Sequence, residues 1–291
     1  MITFSQLGKM GRLGNQLFQY AALRSLSLKK GYECKIPNPD MVEWHGQDCL
    51  LGNFNIESEY LTEQDFQKIN YRYHEGSMEK IDKNYFFLGD GVDIIGYFQS
   101  YQYFKEFEQQ IIKELTPEES LLKEARKIFQ NITKDDCEIV SLHIRRGDNQ
   151  DGTNPQYENF YGKDDKLTDE SAYGKYLQGV FEIFKDRKVK FLIFSGGTRL
   201  KNGSNLTDIE WCKKNIKGQN IIYSEGLSDM LDFTLMSLCH HNVLCHLSSF
   251  GYWAGMLNKN PNKVVVAPKD YTLGSDNRVD NGFYPDEWRT L

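Results

Sequence analysis

The sequence predicts an α/β protein built on parallel β-sheet. In the second half of the chain, short apolar runs alternate with segments of helical periodicity, a rhythm that calls for βαβ units. Four of those runs end in polar turns bearing Gly, Ser or Arg, and the C-terminal edge of an open parallel sheet is where ligands bind. With 291 residues the chain is long enough for one large core or two ordinary ones.

The elements follow in order. A short strand, Ile2 to Ser5, leads into a glycine-rich turn and a helix from about Asn15 to Lys30, with Gly31 as its C-cap. Tyr32 to Ile36 is the next strand. Residues 37–100 hold only short apolar pieces, such as Tyr85-Phe86-Phe87-Leu88 and Ile94-Ile95-Gly96-Tyr97-Phe98. Tyr101 to Leu115 reads as a helix. Thr116-Pro117-Glu118-Glu119 has the form of a capping box with Pro at the first helical position, opening a helix that runs to about Gln130. The second half is then predicted as strand 137–144, helix 171–186, strand 189–195, helix 208–216, strand 220–224, helix 228–239, strand 242–247, helix 250–257 and strand 263–267. The change of rhythm and the capped helix set the domains at residues 1–125 and 126–291, with roughly the last 20 residues free to pack back on the first domain.

The formal net charge is −6, so nucleic acid is not an expected partner, and any phosphate site must be a local cationic pocket. No apolar stretch reaches the ~20 residues of a membrane span, and no signal-peptide pattern precedes the first strand. Six cysteines without a Cys-x-x-Cys pair suit reduced thiols. The expected localisation is therefore cytoplasmic, of bacterial type, with peripheral membrane contact left open.

The most informative motif is His143-Ile144-Arg145-Arg146-Gly147-Asp148, directly after a buried-strand pattern. Two adjacent guanidiniums at a strand's C-terminal end suit an anion, because each presents a planar donor fork that matches phosphate oxygens. The alternative is a surface salt-bridge pair. Ser248-Ser249-Phe250-Gly251 opens a helix, where free N–H groups and two hydroxyls form an anion site; simple N-capping by Ser249 is the plainer use. Gly11-Arg12-Leu13-Gly14-Asn15-Gln16 resembles a nucleotide loop but lacks the full dinucleotide or Walker spacing, and Asn15 has an N-cap as its alternative role. Cys239-His240-His241 with Cys245-His246 has no usual zinc-ligand spacing. No Asp-x-Asp occurs, so a bound diphosphate would be neutralised by arginines and backbone dipoles.

Taken together, Gly11 to Ala21, His143 to Asp148, Met236 to Cys239 and Leu247 to Trp253 resemble, in order, the signatures of the α-1,2-fucosyltransferases of glycosyltransferase family 11. The resemblance implies a GT-B architecture, two Rossmann-like domains facing across a cleft. It implies inverting, metal-independent transfer of L-fucose from GDP-β-L-fucose to the 2-hydroxyl of a terminal β-galactoside, on an oligosaccharide or glycolipid, with no cofactor. Donor contacts carry over to Gly14, Asn15, Arg145, Arg146, Ser248, Ser249 and Phe250. The catalytic candidates are Arg146 for the leaving diphosphate and Asp148, then His143, as base. The chain departs from the family at Gly196-Gly197, where two Asp residues are usual, and Asp208 or Asp232 would have to supply that donor contact. His246 and Gly251 also differ from the commoner residues. The competing readings are a fucosyltransferase with another acceptor, protein O-fucosylation included, and a nucleotide-sugar-binding protein without catalysis.

Overall fold

The computed structural model describes residues 1–146, 160–162, 166–196, 207–269 and 282–291. The chain divides into two compact units, Met1–Glu118 with Asn277–Asp286, and Glu119–Asp276 with Glu287–Leu291. The division thus falls at the start of a helix, at residues 118/119 rather than 125/126.

The first unit begins with β1 (Ile2–Thr3), α1 (Leu13–Lys30) and β2 (Cys34–Ile36). A small hairpin follows, β3 (Glu43–Trp44) with β4 (Gln47–Asp48), and then β5 (Glu59–Tyr60), β6 (Tyr71–His74), β7 (Val92–Ile95) and α2 (Glu108–Glu114). Its main sheet is parallel, in the order β5-β2-β1-β7-β6. Helix α1 buries Leu13, Leu17, Phe18, Tyr20 and Leu23, among others, and this is what makes it form despite a weak amphipathic stripe. Gly31 ends it in the left-handed region, φ +67°, with its N–H on the Ser27 carbonyl.

Two expectations for this unit need correction. Residues 101–115 are not one helix: 3₁₀ turns at Tyr101–Tyr103 and Lys105–Phe107 precede α2. The Ser100 hydroxyl caps the first turn, and Phe104, at φ −132° and ψ 0°, breaks the helical path. Nor does Thr116 cap the next helix. Its hydroxyl donates back to the Ile112 carbonyl at 2.8 Å, and Pro117 bridges Phe54, so the helix starts only at Glu119.

The second unit comprises α3 (Glu119–Ile132), β8 (Glu138–His143), α4 (Ala172–Phe184), β9 (Val189–Phe194), α5 (Asp208–Asn215), β10 (Ile221–Tyr223), α6 (Asp229–Leu238), β11 (His241–Val243), α7 (Ser249–Leu257), β12 (Val265–Ala267) and β13 (Arg289–Thr290). All six strands are parallel, in the order β10-β9-β8-β11-β12-β13. Counted from β8 this is 3-2-1-4-5-6, the doubly wound order, which reverses between β8 and β11. Val140, Leu142, Phe191, Ile193, Val243 and Val266 of the sheet pack with Leu177, Val180 and Phe184 of α4 and Trp211 of α5. Each such side chain contributes about 1.5–3 kcal/mol of burial free energy. Edge strand β13 carries no apolar run; backbone bonds such as Leu291 N–H to the Ala267 carbonyl hold it, which is why no pattern announced it.

Candidate active site

In the second unit the reversal of strand order sets the turn after β8 beside the turn after β11, the place where doubly wound sheets bind ligands. The two turns are stitched together. Arg145 donates from Nη1 to the Leu247 carbonyl, and its amide N–H approaches Cys245 Sγ at 3.3 Å. The Tyr161 hydroxyl donates to the Arg145 carbonyl. Leu247 sits at φ +55°, an uncommon conformation for a bulky side chain. Such strain persists only where its surroundings over-determine it; here the Leu247 carbonyl is held by the Arg145 guanidinium.

The two arginines occupy different environments. Arg146 is 3% exposed. Its guanidinium lies 3.8 Å from the centroid of the Trp211 ring and 5.3 Å from that of Tyr161, and its Nε is 3.7 Å from Asp208 Oδ1. Arg145 is half-buried. One guanidinium is seated in the core with a carboxylate, and the other lies nearer the surface. Asp208 is the carboxylate of that ion pair.

His143, at the end of β8, is buried, and burial first, then the nearby Arg145 charge, lowers its pKa to about 3. Its Nδ1 is 3.0 Å from Ser248 Oγ. That hydroxyl also accepts the Gly251 N–H at 3.2 Å, so it bridges the imidazole and the helix start. A neutral imidazole with so low a pKa is a poor base at working pH. Ser248, rather than Ser249, is the N-cap of α7, so its hydroxyl is turned inward. Ser249 and Phe250 form the first turn of α7, where the helix dipole favours an anion. Phe250 packs its ring 5.6 Å from His143 and 5.1 Å from Phe233.

At the end of β10, Ser224 Oγ donates to Asp232 Oδ1 at 2.6 Å, and burial raises the Asp232 carboxyl to about 6. Ser195, at the end of β9, donates to the Ile144 carbonyl at 2.8 Å. Gly147 and Asp148 lie outside the described residues.

In the first unit the strand order reverses between β1 and β7, and the glycine-rich turn lies there. Gly11 is required at φ +94°, where a Cβ would stand 2.2 Å from Asn15 Nδ2. Arg12 is the N-cap of α1, so Gly14 and Asn15 belong to its first turn and Asn15 is not the cap. Asn15 Oδ1 accepts from Gln99 Nε2 at 2.6 Å, which joins this helix start to the segment after β7. Gln19 Nε2 reaches the carbonyls of Met10 and Gly96, and Gln16 Nε2 that of Gly11. The amides at 15, 16 and 19 therefore fasten the turn, a role that Gln19 and Gln99 did not disclose in sequence.

The Cys/His group has other duties. Nδ1 of His240 accepts the Ile139 N–H, Nδ1 of His241 accepts the Val264 N–H, and Cys239 Sγ donates to Leu235. Among the described residues no three His, Cys, Asp or Glu side chains gather as a metal-ion group. Tyr252 and Trp253 are fully buried core residues.

Two Rossmann-like parallel-sheet units, each with polar groups collected where its strand order reverses, make up a fold of the GT-B type. Glycosyl transferase family 11 matches residues 4–291, and the chain belongs to that family. Galactoside α-(1,2)-fucosyltransferase 2 of Gorilla gorilla gorilla is 26% identical over 263 residues, 86% of this chain and 68% of that protein. The O-antigen biosynthesis glycosyltransferase WbnK of Escherichia coli is 25% identical over 308 residues, 91% of this chain and 94% of that one. In fold, the chain is similar to the NodZ α-1,6-fucosyltransferase soaked with GDP-fucose, with a TM-score of 0.51 at 11% identity over 88% of this chain and 92% of that one.

Proposed function

We propose that this glycosyltransferase moves L-fucose from GDP-β-L-fucose to the 2-hydroxyl of a terminal β-galactoside, with inversion and without a resident metal. One observation carries the reading: at the strand-order reversal of the second unit, a paired-arginine turn is hydrogen-bonded to the turn that opens α7. The family membership and the two α-1,2- and O-antigen-related relatives support fucosyl transfer to a glycan.

In this reading Arg145 and the first-turn N–H groups of Ser249 and Phe250 take the charge that develops on the leaving β-phosphate, where one aimed donor is worth about 10²–10³ in rate. Arg146 adds to that potential from its seat on Trp211. Asp232, with Ser224, supplies the nucleoside contact that Gly196 and Gly197 cannot. Gly14 and Asn15 are further donor contacts. Asp148 accepts the acceptor proton, because His143 is already committed to Ser248.

The test is incubation with GDP-fucose and lactose in the presence of a chelator, with the linkage of the product read by NMR. An α-1,2-fucosylated product is expected. Transfer to another hydroxyl would overturn the acceptor assignment, and transfer that stops with the chelator would overturn metal independence. GDP binding without turnover on any galactoside would favour a binding protein instead.

A further inference from the structure

The first unit carries a concavity of about 290 Å³ between the last turns of α1, residues 81–86 and residues 102–106. Along α1 it lies roughly 20 Å from Asn15, at 1.5 Å per residue, so it is remote from the glycine-rich turn. Its floor is apolar, with Leu26, Ile81 and Phe86. Its rim carries three lysines, Lys29, Lys83 and Lys105, against one carboxylate, Glu106. Lys29 is committed: its Nζ is 2.6 Å from Glu106 and 5.9 Å from the centroid of the Phe86 ring. Lys83 and Lys105 are exposed, and among the described residues neither meets a carboxylate. Phe87, next to the floor, is 82% exposed.

We propose that this face docks on a membrane surface through the phosphate headgroups of anionic phospholipids. Two ammonium groups without counter-ions among the described residues, in a chain of net charge −6, make a local anion site. The apolar floor and Phe87 point to a lipid rather than a dissolved phosphate, since a bare anion does nothing for an exposed aromatic ring. Lysines beside aromatics are the side chains that seat peripheral proteins at the headgroup level. No helix among the described residues is long and apolar enough to cross a membrane, so the attachment is peripheral. Such a seat would bring the enzyme to a glycolipid acceptor, and only that consequence rests on the function proposed above.

The full chain is to be sedimented with vesicles of phosphatidylcholine, alone or mixed with phosphatidylglycerol. Binding is expected with the mixed vesicles only, weakening with salt. The double substitution Lys83→Glu/Lys105→Glu should weaken it about tenfold or more, and Phe87→Ser should weaken it too. Turnover of soluble lactose should be the same in the double variant as in the unaltered chain. Equal binding to both vesicles, or undiminished binding by the double variant, would overturn the proposal. So would glycerol phosphate binding without vesicles and lost in the double variant, which would assign the concavity to a soluble phosphate. Vesicle binding without lactose turnover would leave this proposal standing and remove the acceptor assignment.

Discussion

Ser248 Oγ lies 3.0 Å from His143 Nδ1 and 3.2 Å from the Gly251 amide nitrogen, so a single hydroxyl ties the end of β8 to the first turn of α7. That tie sets the helix start against the arginine turn. It leaves no room beside the imidazole: a Cβ at residue 251 would stand 2.8 Å from His143 Nδ1.

Gly251→Ala should therefore destabilise the protein although alanine is the better helix former. Overpacking costs about 1–3 kcal/mol, against the ~1 kcal/mol gained in propensity. Urea denaturation reads the difference. An unchanged midpoint would show that the imidazole yields at no cost.

The buried imidazole also predicts an acid sensitivity. His143 titrates at about 3 when folded and near 6.5 when free, so below pH 6.5 the unfolded chain binds a proton that the native one refuses. Stability is lost as pH falls through that window, by about 2 kcal/mol between pH 6.5 and 5 for one such group. Asp232, raised to about 6, acts in the opposite sense, since its native carboxyl takes up a proton before the unfolded one does. The comparison is between the intact chain and His143→Gln, each denatured at pH 7 and pH 5. The intact chain should lose more; equal losses would show that His143 does not carry the effect.

Arg146 and Asp208 form a buried charge pair, and each is costly without the other. Arg146→Met and Asp208→Leu should each destabilise by about 3–5 kcal/mol, while the double variant recovers much of the loss. Additive single effects in a denaturation cycle would mean that the two charges are not coupled.

Arg145 and Arg146 should separate in a binding assay. Arg145→Ala is expected to weaken GDP binding by about 10- to 100-fold, the size of a lost charged hydrogen bond, with a smaller fall in Tm than Arg146→Ala because it frees only the Leu247 carbonyl. Arg146→Ala should lower Tm first. Calorimetric titration with GDP, run beside thermal melts, reads both. Undiminished GDP affinity in Arg145→Ala would remove that side chain from the donor site.

Asp148→Asn should keep GDP affinity and lose transfer, by about 10²–10⁴ in kcat for a missing base. Turnover at the level of the intact chain would exclude Asp148 from that role.

What the chain revealed by itself was local. Strands β8 and β9 are buried on both faces along most of their length, so each appears as a mostly apolar run, Ile139-Val140 with Leu142 in one and Phe191 to Phe194 in the other, that can be read to within a residue or two of its ends. The motifs that carry the family resemblance are likewise contiguous stretches. In the first unit β3, β4 and β5 are two residues long, too short to show any period, and they form because neighbouring strands supply their hydrogen bonds. Tertiary structure alone decided which arginine is buried, that Asp208 stands beside it, and that His143 is spent on a serine 105 residues away. The charge a side chain can hold depends on the dielectric and the partners around it, and folding supplies both from parts of the chain that no local pattern links.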